Sequence, residues 1–157
     1  MSEHTVKHDT IVVERSFKSS PKRVFSAWAD PKAHGLWKVP NDDWEIGEFE
    51  NDFRVGGRLS SCFGPKGDAR YCDAGTYLDI VPEARIVSAG TMHDGQVRMS
   101  ATLCTVELFP EGSGTRLVLT DQSAFFDGRE TPSDRKSGWG TVLNRLKDEM
   151  DADGGTV

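Results

Sequence analysis

Two long β-patterned runs meet at Glu111-Gly112-Ser113-Gly114, and the stretch they span, Arg98 to Phe125, dictates what the rest of the chain can build. Glycines at such a junction supply the conformations a tight turn needs, so the stretch reads as a long antiparallel hairpin. A turn centred there sets Leu108 opposite Leu117, Val106 opposite Leu119, Cys104 opposite Asp121, Thr102 opposite Ser123 and Ser100 opposite Phe125. One face of the hairpin is then aliphatic near the turn and small or polar far from it. A filled core is apolar along its length, so the change predicts a sheet packed at one end and lining a space at the other.

The flanking segments supply the remaining parts of a sheet and its cover. Asp9 to Phe17 alternates as a strand, Ser20-Pro21 starts a short helix carrying Val24, Phe25, Ala27 and Trp28, and Asp30-Pro31 starts a second one ending with Leu36 and Trp37. Trp44 to Glu50, Leu59 to Phe63, Arg70 to Val81 and Ile86 to Met92 follow as strands. The glycine pair Gly56-Gly57 suggests a bulge or a close backbone approach and is read as a bulge, since neither the lysine nor the helix of a phosphate loop follows.

Centring the Gly64 to Asp68 turn between Lys66 and Gly67 sets Ser61 opposite Cys72. Cys62 and Cys72 then face opposite ways and should not form a disulfide. The same registers predict one inner set: Leu59, Ser61 and Phe63; Cys72, Ala74, Thr76, Leu78 and Ile80; Val87, Ala89 and Thr91; and the hairpin residues already named. Thr131-Pro132 with Asp134 marks the start of a last helix, where Trp139, Val142, Leu143, Leu146 and Met150 recur at helical spacing.

Bulk properties narrow the function classes. With 157 residues, 36% of them hydrophobic, the chain suits a single domain over 1–157, with 1–8 and 152–157 frayed. A net charge of −6 and no basic cluster argue against nucleic-acid binding. No membrane span and no signal peptide are visible, so the expected location is the cytoplasm. Cys62, Cys72 and Cys104 lack the spacing of a disulfide framework or a zinc site, no metal cage or Ser-His-Asp triad can be assembled, and no cofactor is expected.

Together these elements predict an α+β, helix-grip (START/Bet v-like) fold: a curved antiparallel sheet wrapped around a long C-terminal helix, with two short helices after the first strand. The segments VVERSFKSSPKRVFSAWADP, DFRVGGRL, GTYLDIVPEARIV, GTRLVLTDQ and GWGTVLNRLKDEM, spread over nearly the whole chain, resemble the START-like (SRPBCC) superfamily, in its branch of activator of heat-shock-protein-90 ATPase homologues (AHSA-type). That resemblance implies a hydrophobic cavity between sheet and helix, used in relatives for lipids, polyketides, hormones or other apolar molecules, and carries no shared catalytic motif.

The expected ligand site lies between the polar end of the sheet and the first half of the last helix. Trp37, Phe63, Phe125 and Trp139 supply apolar walls; Cys72, Ala74, Thr91 and Leu143 border the space; Ser100, Thr102, Asp121 and Ser123 offer orienting hydrogen bonds. Asp121 is also a candidate general base, and Cys72 with Cys104 a candidate nucleophile and partner, although no histidine is expected beside them. The preferred reading is a binding protein for a small hydrophobic or aromatic molecule, with a homodimer left open. The alternatives are a polyketide cyclase or hydrolase-like enzyme using the same cavity, and a chaperone-interacting module, which needs an exposed apolar patch.

Overall fold

The computed structural model of the protein describes residues 4–30 and 42–152. Strand β1 (Val6–Phe17) leads into helix α1 (Pro21–Ala29), where the Ser20 hydroxyl caps the first turn by accepting from the Arg23 amide at 3.3 Å and Pro21 takes the position that needs no amide partner. The second short helix predicted from Asp30-Pro31 to Trp37 falls outside the described residues. Strands β2 (Trp44–Asn51), β3 (Arg58–Pro65), β4 (Tyr71–Val81), β5 (Arg85–Asp94), β6 (Val97–Glu111) and β7 (Gly114–Phe126) follow, and helix α2 (Pro132–Ala152) ends the described chain.

All seven strands form one antiparallel sheet in the order β1-β7-β6-β5-β4-β3-β2, with α2 packed against its inner face. This is the helix-grip arrangement expected from the sequence. Among the described residues, no helix is long and apolar enough to cross a membrane. The capping box at the start of α2 is present: the Thr131 hydroxyl accepts from the Asp134 amide at 3.0 Å, and Asp134 accepts from the Thr131 amide at 3.3 Å.

The β6–β7 hairpin pairs as its sequence predicts, from Ser100 opposite Phe125 to Leu108 opposite Leu117. Gly112, at φ 59°, opens the two-residue loop that sets this register. Its aliphatic end joins Ile11, Val13 and Phe17 of β1, Val24 and Trp28 of α1, Ile86 of β5 and Val142, Leu143 and Leu146 of α2 in one buried core.

Strands β4 and β5 differ from expectation by one residue. Phe63 pairs with Tyr71 and Cys62 with Cys72, so the β3–β4 connection is centred on Gly67, at φ 86°, instead of between Lys66 and Gly67. A one-residue slip exchanges the two faces of a strand. Asp73, Gly75 and Tyr77 therefore point inward, as do Ile86, Ser88, Gly90 and Met92 of β5, while Cys72, Ala74, Thr76, Val87, Ala89 and Thr91 belong to the outer face. Burial agrees, since Tyr77 is 1% exposed and Leu78 50%. The same slip brings Cys62 and Cys72 together on the outer face with Cα atoms 4.0 Å apart, and they form the disulfide that the expected register had excluded. A bulge after Tyr77 turns Ile80 back onto the core.

Two glycine sites shape the sheet around the helix. Gly56 donates to the Tyr77 carbonyl at 2.8 Å and Gly57 accepts from the Tyr77 amide at 3.0 Å, beside the bulge, and a Cβ at Gly57 would run into the Asp52 carbonyl oxygen. The glycine pair, expected as a bulge, lies instead in the connection between β2 and β3, where it makes a close backbone approach to Tyr77. Gly75 and Gly90 face each other in mid-strand, and a Cβ on Gly75 would lie 2.5 Å from the Ala89 carbonyl oxygen, so the strands bend inward there more sharply than any side chain would permit.

Candidate functional site

The bend at Gly75 and Gly90 leaves the inner face of β4 and β5 without side chains at its middle, and a cavity of about 330 Å³ opens there between the sheet, α1 and α2. Its described apolar wall includes Trp28, Trp44, Leu59, Phe63, Tyr77, Ile86, Met92, Val106, Trp139 and Val142. Ser88, Thr102, Cys104 and the carboxylates Asp73, Asp121, Glu130 and Asp134 add polar atoms around Arg135, the single cation among the described lining residues.

The aromatic part of the wall is held from behind by hydrogen bonds. Buried Tyr77 donates its phenol to Asn51 at 2.5 Å, and Asn51 donates to the Trp28 carbonyl at 3.0 Å, which ties the end of α1 to the sheet. Phe53 packs edge-on to both Tyr77 and Phe25, with ring centres 5.0 and 5.4 Å away. Burial, and then the charge of Asp73, pushes the Tyr77 phenol well above its ordinary pKa, so it stays protonated as a donor. At the other side, Trp44 stacks on Tyr71 at 5.8 Å and both rings lean on Phe63 at 6.2 Å.

The polar end is organised by Arg135, one turn before Trp139 on α2. Its Nε and Nη2 both reach the Glu130 carboxylate at 2.7 Å; Nη2 also donates to Ser100 at 2.7 Å, and Nη1 to Thr102, Asp121 and Ser123 at 2.9, 3.0 and 3.1 Å. The guanidinium has five N–H bonds, and this set of acceptors uses them all. Burial alone would lower its pKa, but the hydrogen bonds and charges of Glu130 and Asp121 outweigh that and hold it charged above its ordinary value. Asp121, fully buried, accepts at Oδ2 from Arg135 and from the Trp139 indole at 2.8 Å, and at Oδ1 from Ser123. The ring of Phe125 lies beneath the guanidinium, 5.3 Å from it.

The residues nominated from sequence thus divide. Phe63, Ala74, Thr91, Thr102, Asp121 and Trp139 border the cavity, although Ala74 and Thr91 turn their side chains outward at the Gly75–Gly90 bend. Ser100, Ser123 and Phe125 are buried around Arg135, outside the cavity wall, and Leu143 belongs to the solid core. Cys72 is consumed by the disulfide, which leaves Cys104 on the inner face as the cysteine outside it and removes the nucleophile pair. His93, expected to stand apart from the cysteines, is the strand partner of Cys72 and shares a hydrogen bond with Thr91 at 3.0 Å on the outer face. Trp37 lies outside the described residues.

Arg135, Glu130, Tyr77 and Trp28 were missed as site residues. Arg135 had a signal: it precedes Trp139 by four positions, on the same stripe as Val142, Leu143 and Leu146, where a charged residue must find buried partners. Among the described residues, no three His, Cys, Asp or Glu side chains converge as a metal site requires.

Residues 18–151 match the family described as activator of Hsp90 ATPase homolog 1-like protein. The solved structure of the Mll3558 protein from Rhizobium loti is similar at 43% identity and a TM-score of 0.83, over 92% of this chain and 99% of that one. A Rhizobium leguminosarum protein is similar at 32% identity and a TM-score of 0.85, over 95% and 98% of the two chains. An AHSA1-like protein from Aeromonas hydrophila, at 23% identity and a TM-score of 0.73 over 94% and 96%, shares the fold. No curated protein matches the chain.

Proposed function

Since the chain belongs to the activator of Hsp90 ATPase homolog 1-like family, whose helix-grip scaffold is of the ligand-binding START type, we propose that it binds a small hydrophobic or aromatic molecule between the sheet and α2. The observation that carries this reading is the cavity of about 330 Å³ walled by Trp28, Trp44, Phe63, Tyr77 and Trp139. A space of that size next to a well-packed core is unusual unless something occupies it, because empty volume forfeits dispersion contacts. Apolar walls with a few converging polar groups are the common form of a small-molecule site.

The site supports binding better than catalysis. A general base needs a lone pair aimed at the substrate, and both oxygens of Asp121 already accept from Arg135, Trp139 and Ser123. A cyclase or hydrolase-like role would have to break this cluster. The cavity also favours a small ligand over a protein partner, because exposed apolar residues on the outer face are interspersed with polar ones: Leu103 pairs with Gln122, Val12 with Thr120 and Phe109 with Arg116.

Native mass spectrometry of the protein purified from its own host tests the proposal. An adduct that leaves on denaturation and extracts into organic solvent is the expected result. Bare protein mass, together with no thermal stabilisation by any of a panel of small aromatic compounds, would remove the basis for a binding role.

A further inference from the structure

Resting on the binding role proposed above, we infer that the cavity selects an aromatic molecule bearing a protonated amine and rejects a carboxylate of the same shape. An anionic head group needs a positive charge with unused N–H donors. Arg135 is the one cation among the described lining residues, and its five N–H bonds are already taken by Glu130, Ser100, Thr102, Asp121 and Ser123. The phenol of Tyr77 and the indole N–H of Trp139 are likewise committed, to Asn51 and Asp121. A carboxylate entering the cavity would give up water without meeting a free charged donor among the described lining residues.

The balance of charge points the same way. Among the described lining residues, Asp121, Glu130 and Asp134 border the space against Arg135 alone, so their negative charge is in excess even with Asp73, which accepts from Ser61 at 2.8 Å, left out of the count. The start of α2 at this end contributes roughly half a positive charge, too little to reverse the sign. The aromatic walls add to the preference, because ring faces attract a desolvated ammonium and repel an anion.

Three probes sharing one aromatic body separate the outcomes: naphthylmethylamine, naphthylmethanol and naphthoic acid, titrated calorimetrically into the full chain at neutral pH. The amine is expected to bind tightest and the acid weakest, with a gap of at least about tenfold. Glu130→Gln, which weakens the hold on Arg135, and Asp134→Asn, which retains a capping side chain, should each narrow that gap. Ser88→Phe should abolish amine binding by filling the cavity.

An acid that binds as well as the amine overturns the inference while leaving the binding role intact. So does a gap that both charge substitutions leave unchanged, or amine binding that survives Ser88→Phe and is therefore superficial. Absence of binding by all three probes would count against the binding role itself.

Discussion

Arg135 and Asp121 face each other at 3.0 Å across the junction of α2 and β7, the carboxylate fully buried and the guanidinium nearly so. Removing one partner of a buried pair leaves the other desolvated and uncompensated. Arg135→Met strands Asp121 and Glu130 together and is expected to cost about 3 to 5 kcal/mol in urea denaturation. Asp121→Ala should cost less, about 1 to 3 kcal/mol, because Glu130 still neutralises the guanidinium. If the two substitutions prove equally mild, the cluster contributes little to the fold.

Tyr77 predicts an alkaline limit on stability. Burial, followed by the charge of Asp73, raises its folded pKa above the ordinary value, so the folded chain holds the phenolic proton more tightly than the unfolded one. Stability from this source is intact below about pH 10, where the unfolded phenol begins to ionise, and then declines by up to ~1.4 kcal/mol per pH unit. Denaturation curves between neutral and strongly alkaline pH should show the decline, and Tyr77→Phe should reduce its slope while lowering stability at neutral pH.

Thiol titration of the denatured protein without reductant should find one reactive group, Cys104, and titration after reduction should find all three cysteines. Three thiols before reduction would mean that Cys62 and Cys72 are not joined in solution.

The cavity and the solid core should respond oppositely to substitution. Ser88→Phe adds a ring on the inner face and is expected to block ligand uptake at small cost in stability, whereas Leu119→Ala empties the core and should cost roughly 2 to 5 kcal/mol. Ala74→Phe, whose side chain turns outward, should leave uptake unchanged. Uptake lost in Ala74→Phe but kept in Ser88→Phe would reverse the assignment of faces.

The β6–β7 hairpin was legible because its two-residue turn admits one register and the facing side chains grade smoothly from Leu108 and Leu117 to Ser100 and Phe125. The β3–β4 connection was not, because Gly64, Pro65 and Gly67 offer more than one turn centre. Periodicity then favoured the wrong face of β4. Cys72, Ala74 and Leu78 look like core residues beside Asp73, Gly75 and Tyr77, yet a strand lining a cavity can present glycine and polar groups inward. The polar hairpin residues are legible only in part, for a related reason. Ser100, Thr102, Asp121 and Ser123 all suggest open volume, but only Thr102 and Asp121 border the cavity, and the space around Ser100 and Ser123 is filled by Arg135 from an element distant in sequence.

The pairing of β1 with β7, from Val6 opposite Phe126 to Phe17 opposite Thr115, also sets an order of events during synthesis. The strands from β2 to β7 can zip as consecutive neighbours while the chain emerges, since each partner is the segment just made. Strand β1 is made before the other six and must wait for β7 before the one paired edge of its backbone is satisfied. During that interval Ile11, Val13 and Phe17 lack the β7 and α2 side chains that complete their burial, so β1 is a point at which the nascent chain is vulnerable to aggregation and to chaperone capture.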